Sequence, residues 1–255
     1  LVSEYVVEIF EYMKTLEMET LPNPHYMDEQ KELHWKMRSI LIDWLIEVHN
    51  KFRLLPETLY LAVNIIDRFL SNRVVSMVKL QLVGVTAMFI AAKYEEVIPP
   101  GLQNFTHVAD GGYSEEEVLR AERYVLQVLD FGLHYPSPMS FLRRVSKADN
   151  YDIHTRTLAK YLMEITLLDH AFLPEPPSKI AAAGLFLARR MLSRGAWTPN
   201  LRHYSGYDEE ALLPVATQML NFLAGSQDYE AVYKKYASRM YMKASVFAKE
   251  WITSQ

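Results

Sequence analysis

Eight histidines, no cysteine and a small excess of acids over bases limit the chemistry this 255-residue chain can do. The histidines are scattered. None has the His-Glu-x-x-His spacing that places two imidazoles on one helix face around zinc. Without thiols there is no Cys-ligated zinc, no disulfide scaffold and no thiol nucleophile. Glu95 and Glu96 are adjacent carboxylates. On a helix such neighbours point about 100° apart and make a poor acid–base dyad. The sequence has no Gly-rich phosphate loop and no Gly-x-Ser-x-Gly turn. No catalytic residue, cofactor or metal ligand is therefore expected.

Charge and hydropathy narrow the partners. The formal net charge is -4, so no overall basic field draws nucleic acid. Arg143-Arg144 and Arg189-Arg190 are the only paired arginines, a thin footprint for phosphate binding. Half of the residues are apolar, as in an ordinary globular protein. The longest apolar run, Leu82–Ala92, falls short of the about 20 residues a membrane helix needs. No signal peptide is visible. Neither a nucleic-acid nor a membrane partner is expected. Leu1 falls inside an amphipathic helical pattern, which implies residues upstream.

The elements that would position any site are helical. Residues 3–18 carry Val6, Ile9, Phe10 and Met13 at helical spacing, with Ser3 as N-cap. Helices are predicted over 34–53, 57–71, 78–96 and 114–129. Pro56 opens the second of these, and Ser114 with Glu117 forms a capping box on the last. A break at Pro136-Ser137-Pro138 divides the chain, and the pattern then restarts. Lys79-Leu-Gln-Leu-Val-Gly84 is matched by Lys179-Ile-Ala-Ala-Ala-Gly184. Ile65-Ile66-Asp67 is matched by Leu167-Leu168-Asp169, and Tyr113-Ser-Glu-Glu by Tyr207-Asp-Glu-Glu210. Leu119, Val125, Leu126 and Leu129 then align with Leu213, Met219, Leu220 and Leu223. The reading is two copies of one helical unit of about a hundred residues, an ordinary domain size.

The helix over residues 37–52 has more apolar surface than a surface helix needs. Met37, Ile40, Leu41, Trp44 and Val48 form one stripe, with Glu47 at its edge. Ile42, Leu45, Ile46 and Phe52 form a second, adjoining arc. Either the helix is central and buried, or one stripe faces a partner; both can hold together.

Met37-Arg-Ser-Ile-Leu-Ile-Asp-Trp-Leu45 resembles the opening signature of the cyclin box. Phe52-Arg-Leu-Leu-Pro-Glu-Thr-Leu-Tyr60, Ile65-Ile-Asp-Arg-Phe-Leu70, Lys79–Gly84 and Ala92-Lys-Tyr-Glu-Glu96 follow in that family's order. Phe141-Leu-Arg-Arg144, Ser146-Lys-Ala-Asp149 and Ala159-Lys-Tyr-Leu-Met-Glu164 resemble the B-type, G2/mitotic subgroup, with wording similar to fungal members. The resemblance implies an all-α fold. Two tandem five-helix cyclin boxes would occupy 34–135 and 136–255, after an N-terminal helix and linker over 1–33. It implies a non-catalytic partner of a cyclin-dependent protein kinase, acting in nucleus and cytoplasm. The alternative is a transcription-type relative, but such relatives often carry a basic face and a zinc-binding segment.

The resemblance also assigns sites. Lys93 and Glu122 would be polar anchors on the kinase, with Tyr94, Glu95 and Glu96 beside them. Ile9, Phe131 and Leu133 would pack on its mobile C-helix. On the repeat alignment Lys93 falls opposite Ser193 and Glu122 opposite Ala216, so only the first copy has this charge pair. A docking patch for Arg/Lys-x-Leu peptides of substrates and inhibitors would use Met37, Ile40, Leu41, Trp44, Leu80 and Gln81, with Glu47 meeting the basic residue. Arg38 and Asp67 would form an internal ion pair of structural value.

Overall fold

The computed structural model describes residues 3–225 and 229–254, and among these there is no strand. The chain divides into two units, Leu1–Pro136 and Ser137–Gln255. In the first, α1 (Val6–Glu19) precedes five helices: α2 (Trp35–Phe52), α3 (Pro56–Asn72), α4 (Leu80–Glu95), α5 (Leu102–Val108) and α6 (Glu115–Val128). The second holds α7 (Pro138–Ala148), α8 (Ile153–Ile165), α9 (Pro177–Met191), α10 (Pro199–Ser205) and α11 (Glu209–Ala224). It then adds α12 (Ala231–Ala237) and α13 (Ala244–Thr253), two helices beyond the expected five.

The N-terminal cap differs from the expectation. Ser3 opens a 3-10 turn, Ser3–Tyr5, and α1 starts at Val6 with no side-chain cap. By contrast, Ser114 accepts a hydrogen bond from the Glu117 N–H, and the Glu117 carboxylate accepts one from the Ser114 N–H. The capping box therefore forms, and Pro56 takes the first turn of α3, where its missing N–H costs nothing.

Each unit is built around one helix that is apolar on nearly every side. In α4 every residue from Leu82 to Ala92 is buried. The whole segment Met77–Glu95 is long and apolar enough to cross a membrane, but two-thirds of it lies inside the unit, as a core helix does. In α9 the run Ile180–Ala188 is buried in the same way. A glycine in each lets a neighbour approach. A Cβ on Gly84 would fall 2.7 Å from Leu41 Cδ1, and one on Gly184 would fall 3.0 Å from Met163 Cγ.

The repeat extends to polar bonds. The Tyr113 hydroxyl donates to the Val78 carbonyl, and the Tyr207 hydroxyl bonds Ser178 Oγ. In both cases the partner directly precedes the repeated lysine. Asp208 caps α11 as Ser114 caps α6. The proposed match of Asp67 with Asp169 does not hold. Asp169 is an N-cap accepting from the Ala171 N–H, whereas Asp67 is buried mid-helix. Glu164 takes that place: it is the twelfth residue of α8, as Asp67 is of α3. Each carboxylate meets a cation and a tyrosine hydroxyl. Asp67 holds Arg38 and Tyr26, and Glu164 holds Lys235 at 2.6 Å and Tyr236 at 2.9 Å. The added α12 supplies both of the latter partners, which explains why the second unit needs it.

Candidate functional site

Lys93 sits in the last turn of α4 and Glu122 midway along α6. Their side chains form an ion pair across the two helices. Glu122 is only 8% exposed, while Lys93 is open to solvent, with its ammonium 4.2 Å from the Phe89 ring centroid. A buried carboxylate with an exposed cation leaves one side of the pair able to meet another molecule. In the second unit the aligned positions cannot repeat it. Ser193 lies beyond the end of α9 in a left-handed conformation, and Ala216 is buried.

The remaining residues assigned with this pair divide into two groups. Tyr94 is exposed and Glu95 half-buried. Phe131 is 66% exposed, so it is not a core side chain; Ile9 and Leu133 are half-buried. Glu96 is already engaged within the fold. One of its carboxylate oxygens accepts from the Leu55 N–H at 2.7 Å and from the Thr58 hydroxyl at 2.6 Å. It thus caps α3 from outside that helix and fixes the chain where it leaves α4. The next two residues, Val97 and Ile98, are 96% and 87% exposed. Sequence reasoning passed over both, because they lie past the helix end, where periodicity gives no signal. Two neighbouring β-branched residues are thus left bare just past the end of α4.

The second candidate is a groove of about 290 Å³ lined by Met37, Ile40, Leu41 and Trp44 of α2 and by Leu80 and Gln81 of α4, with Met77 from the turn before α4. The two apolar arcs of α2 separate in part: Leu41 and Val48 of the first stripe are buried as well, and Phe52 of the second is half-buried. Ile42, Leu45 and Ile46 are fully buried, whereas Ile40 is exposed and Met37 and Trp44 half-buried. Glu47 is exposed and stands outside the groove lining. Met77 was missed because it belongs to a 3-10 turn, Met77–Lys79, outside the helical pattern. The groove has one polar side chain, Gln81, and no charged one among its lining residues.

Arg38 and Asp67 form a two-pronged pair, Nε–Oδ1 at 2.7 Å and Nη2–Oδ2 at 2.8 Å, and both are about 2% exposed. Burial alone would lower the Arg38 pKa. The Asp67 carboxylate outweighs it and holds the guanidinium above its ordinary value. Burial, and then the same carboxylate, push the Tyr26 hydroxyl well above its ordinary range. These groups are sealed in the core and present nothing to a partner.

Elsewhere, the second unit has clefts of about 500 Å³ beside Tyr161, Tyr233 and Lys249, and of about 390 Å³ beside Trp197, Arg202 and Asp208. Among the described residues no three histidine, aspartate or glutamate side chains gather to hold a metal ion.

Two consecutive helical units, each wrapped around a buried apolar helix, with a half-exposed charge pair and an apolar groove on the first, define a protein of two repeated helical units. The Cyclin, N-terminal domain family matches residues 8–134 and the Cyclin, C-terminal domain family matches 136–250, so the chain belongs to the cyclin family. Its relatives include G2/mitotic-specific cyclins. It is 66% identical over 252 residues to the G2/mitotic-specific cyclin cdc13 of Schizosaccharomyces pombe, covering 99% of this chain and 52% of that protein. It is 61% identical over 249 residues to the G2/mitotic-specific cyclin-B of Emericella nidulans, covering 98% and 52%. The chain thus spans about half the length of these relatives. Among solved structures, a viral cyclin from herpesvirus saimiri has the same fold, with a TM-score of 0.69 at 19% identity over 94% of this chain and 96% of that one.

Proposed function

We propose that this chain is the core of a G2/mitotic cyclin that binds and activates a cyclin-dependent Ser/Thr protein kinase and contributes no catalytic group itself. The observation that carries the reading is the Lys93–Glu122 pair. It joins two helices of the first unit, its cation is exposed, and it is absent from the matching place in the second unit. A pair required by the repeat fold alone would be expected in both copies. Tyr94, Val97, Ile98 and Phe131 add exposed apolar surface of the kind that anchors a partner. A kinase bound there would have its mobile C-helix held inward, so that its Lys–Glu ion pair forms and its activation loop is released. Ile9 and Leu133 belong to the same surface.

The α2–α4 groove is the proposed docking place for Arg/Lys-x-Leu peptides of substrates and inhibitors. The leucine would fill the space between Leu41, Trp44 and Leu80, and Gln81 would bond the peptide backbone. Glu47, one turn beyond Trp44, would meet the basic residue from outside the groove. Tethering a substrate in this way raises its effective concentration at the kinase. The proposed setting is nucleus and cytoplasm, where such kinases meet their substrates.

The test is co-elution with a monomeric cyclin-dependent kinase on a sizing column. The wild-type chain should form a one-to-one complex, and Lys93→Ala/Glu122→Ala should lose it while its helical circular dichroism persists. A folded double variant that still co-elutes would remove the pair from the interface.

A further inference from the structure

Two segments of the proposed kinase surface lie outside the main helices of the first repeat. One is α1, which carries Ile9; the other is the turn after α6, which carries Phe131 and Leu133. Both are tied to the same face of α3. Asn64 Nδ2 donates to the Thr20 carbonyl at 2.8 Å, and Thr20 is the buried C-cap of α1. One turn further along α3, Arg68 Nη1 donates to the Gly132 carbonyl at 2.7 Å. The same nitrogen reaches Asn64 Oδ1 at 3.4 Å, which links the two ties.

We infer that Arg68 and Asn64 are positioning residues that hold the α1 end and the Phe131 turn in register for the kinase. The inference rests on the kinase-binding reading above. The turn needs such a hold. Asp130 and Phe131 are consecutive non-glycine residues with φ of 48° and 55°, a left-handed conformation that persists only where its surroundings enforce it. Backbone bonds fix its entry, from the Phe131 N–H to Leu126 O and from the Gly132 N–H to Leu129 O. Its exit carbonyl is fixed by Arg68. Among the described residues the Arg68 guanidinium has no carboxylate within ion-pair distance; its bonds go to a carbonyl and an amide oxygen. Burial accordingly lowers its pKa. A half-buried cation used on neutral acceptors suggests that geometry, not charge pairing, is its role. A planar fork suits that task better than a lysine ammonium does. The space beside Gly132 is also matched to Arg68, since a Cβ there would meet Nη2 at 3.3 Å.

The experiment combines hydrogen exchange on the free chain with calorimetric titration of a monomeric cyclin-dependent kinase. Arg68→Ala should keep its helical circular dichroism and speed exchange across residues 130–133, and Asn64→Ala should do the same across residues 17–20. Arg68→Ala should weaken kinase affinity about tenfold, the scale of an interface hot spot. Because it acts through the turn, adding it to Phe131→Ala should cost less than about twofold more. Arg68→Lys should recover part of the loss. Unchanged exchange, or losses that simply add in the double variant, would overturn the positioning role. A wild-type chain that binds no kinase would overturn the kinase reading and this role with it. Additive losses in a chain that does bind would overturn only the role of Arg68.

Discussion

Lys93 and Arg38 are both cations paired with a carboxylate on another helix, yet their exposure to solvent differs. Arg38 and Asp67 are sealed from water on every side. Removing one partner of such a pair leaves an uncompensated buried charge. Arg38→Ala is therefore expected to lower unfolding free energy by about 3–5 kcal/mol in urea denaturation, and any loss of function in it reports folding. Lys93 is exposed while Glu122 is buried, so only the cation of this pair is open to solvent. Lys93 and Glu122 were singled out by the family resemblance, and the repeat alignment added that only the first copy carries the two charges. Met77, Val97 and Ile98 were not legible, since exposure at a helix end follows from where the chain turns. Gly84 ties the groove to the core. Its added Cβ would press on Leu41, which lines the groove. Gly84→Ala is expected to push the leucine side chain into the groove and weaken an Arg/Lys-x-Leu peptide several-fold in fluorescence polarisation, with kinase binding unchanged.

At the scale of elements, capping chemistry was readable and short helices were not. Ser114 and Glu117 announced the start of α6 because a capping box needs only two residue types at a fixed spacing. The seven-residue helices α5 and α10 passed unnoticed, since two turns are too few for a 3.6-residue period to declare itself. The buried Glu164 was equally hidden, because its partners Lys235 and Tyr236 lie far along the chain. The capping box makes a pH prediction. The hydrogen bond from the Ser114 N–H lowers the Glu117 pKa, burial opposes it, and the nearby Lys79 ammonium adds to the lowering, so the net shift is downward. A folded-state pKa below the unfolded one adds stability above the ordinary carboxylate value, and that stability disappears as pH falls through the lowered value. Thermal melts should show the wild-type chain ahead of Glu117→Gln at neutral pH. The gap should close below the usual glutamate range. A gap that persists in acid would contradict the capping role.

Over the whole molecule, the repeat was legible from the lysine, glycine and tyrosine that recur in both units. Two of these have a physical reason: close helix approach for the glycine, and a hydroxyl bond to the residue before the lysine for the tyrosine. The further helices α12 and α13 were not legible as a departure from five-helix repeats. The central claim concerns two separate surfaces on the first unit, one that activates a kinase and one that recruits its substrates. It is tested most directly by mixing the chain with a monomeric, inactive cyclin-dependent kinase. Phosphorylation of two peptides, identical but for an Arg/Lys-x-Leu motif, would then be measured. The account predicts that Lys93→Ala/Glu122→Ala loses activity on both, whereas Met37→Ala/Leu41→Ala/Trp44→Ala loses it mainly on the peptide with the motif. Equal losses on both peptides in the folded groove variant, or no activation by the folded wild-type chain, would contradict it.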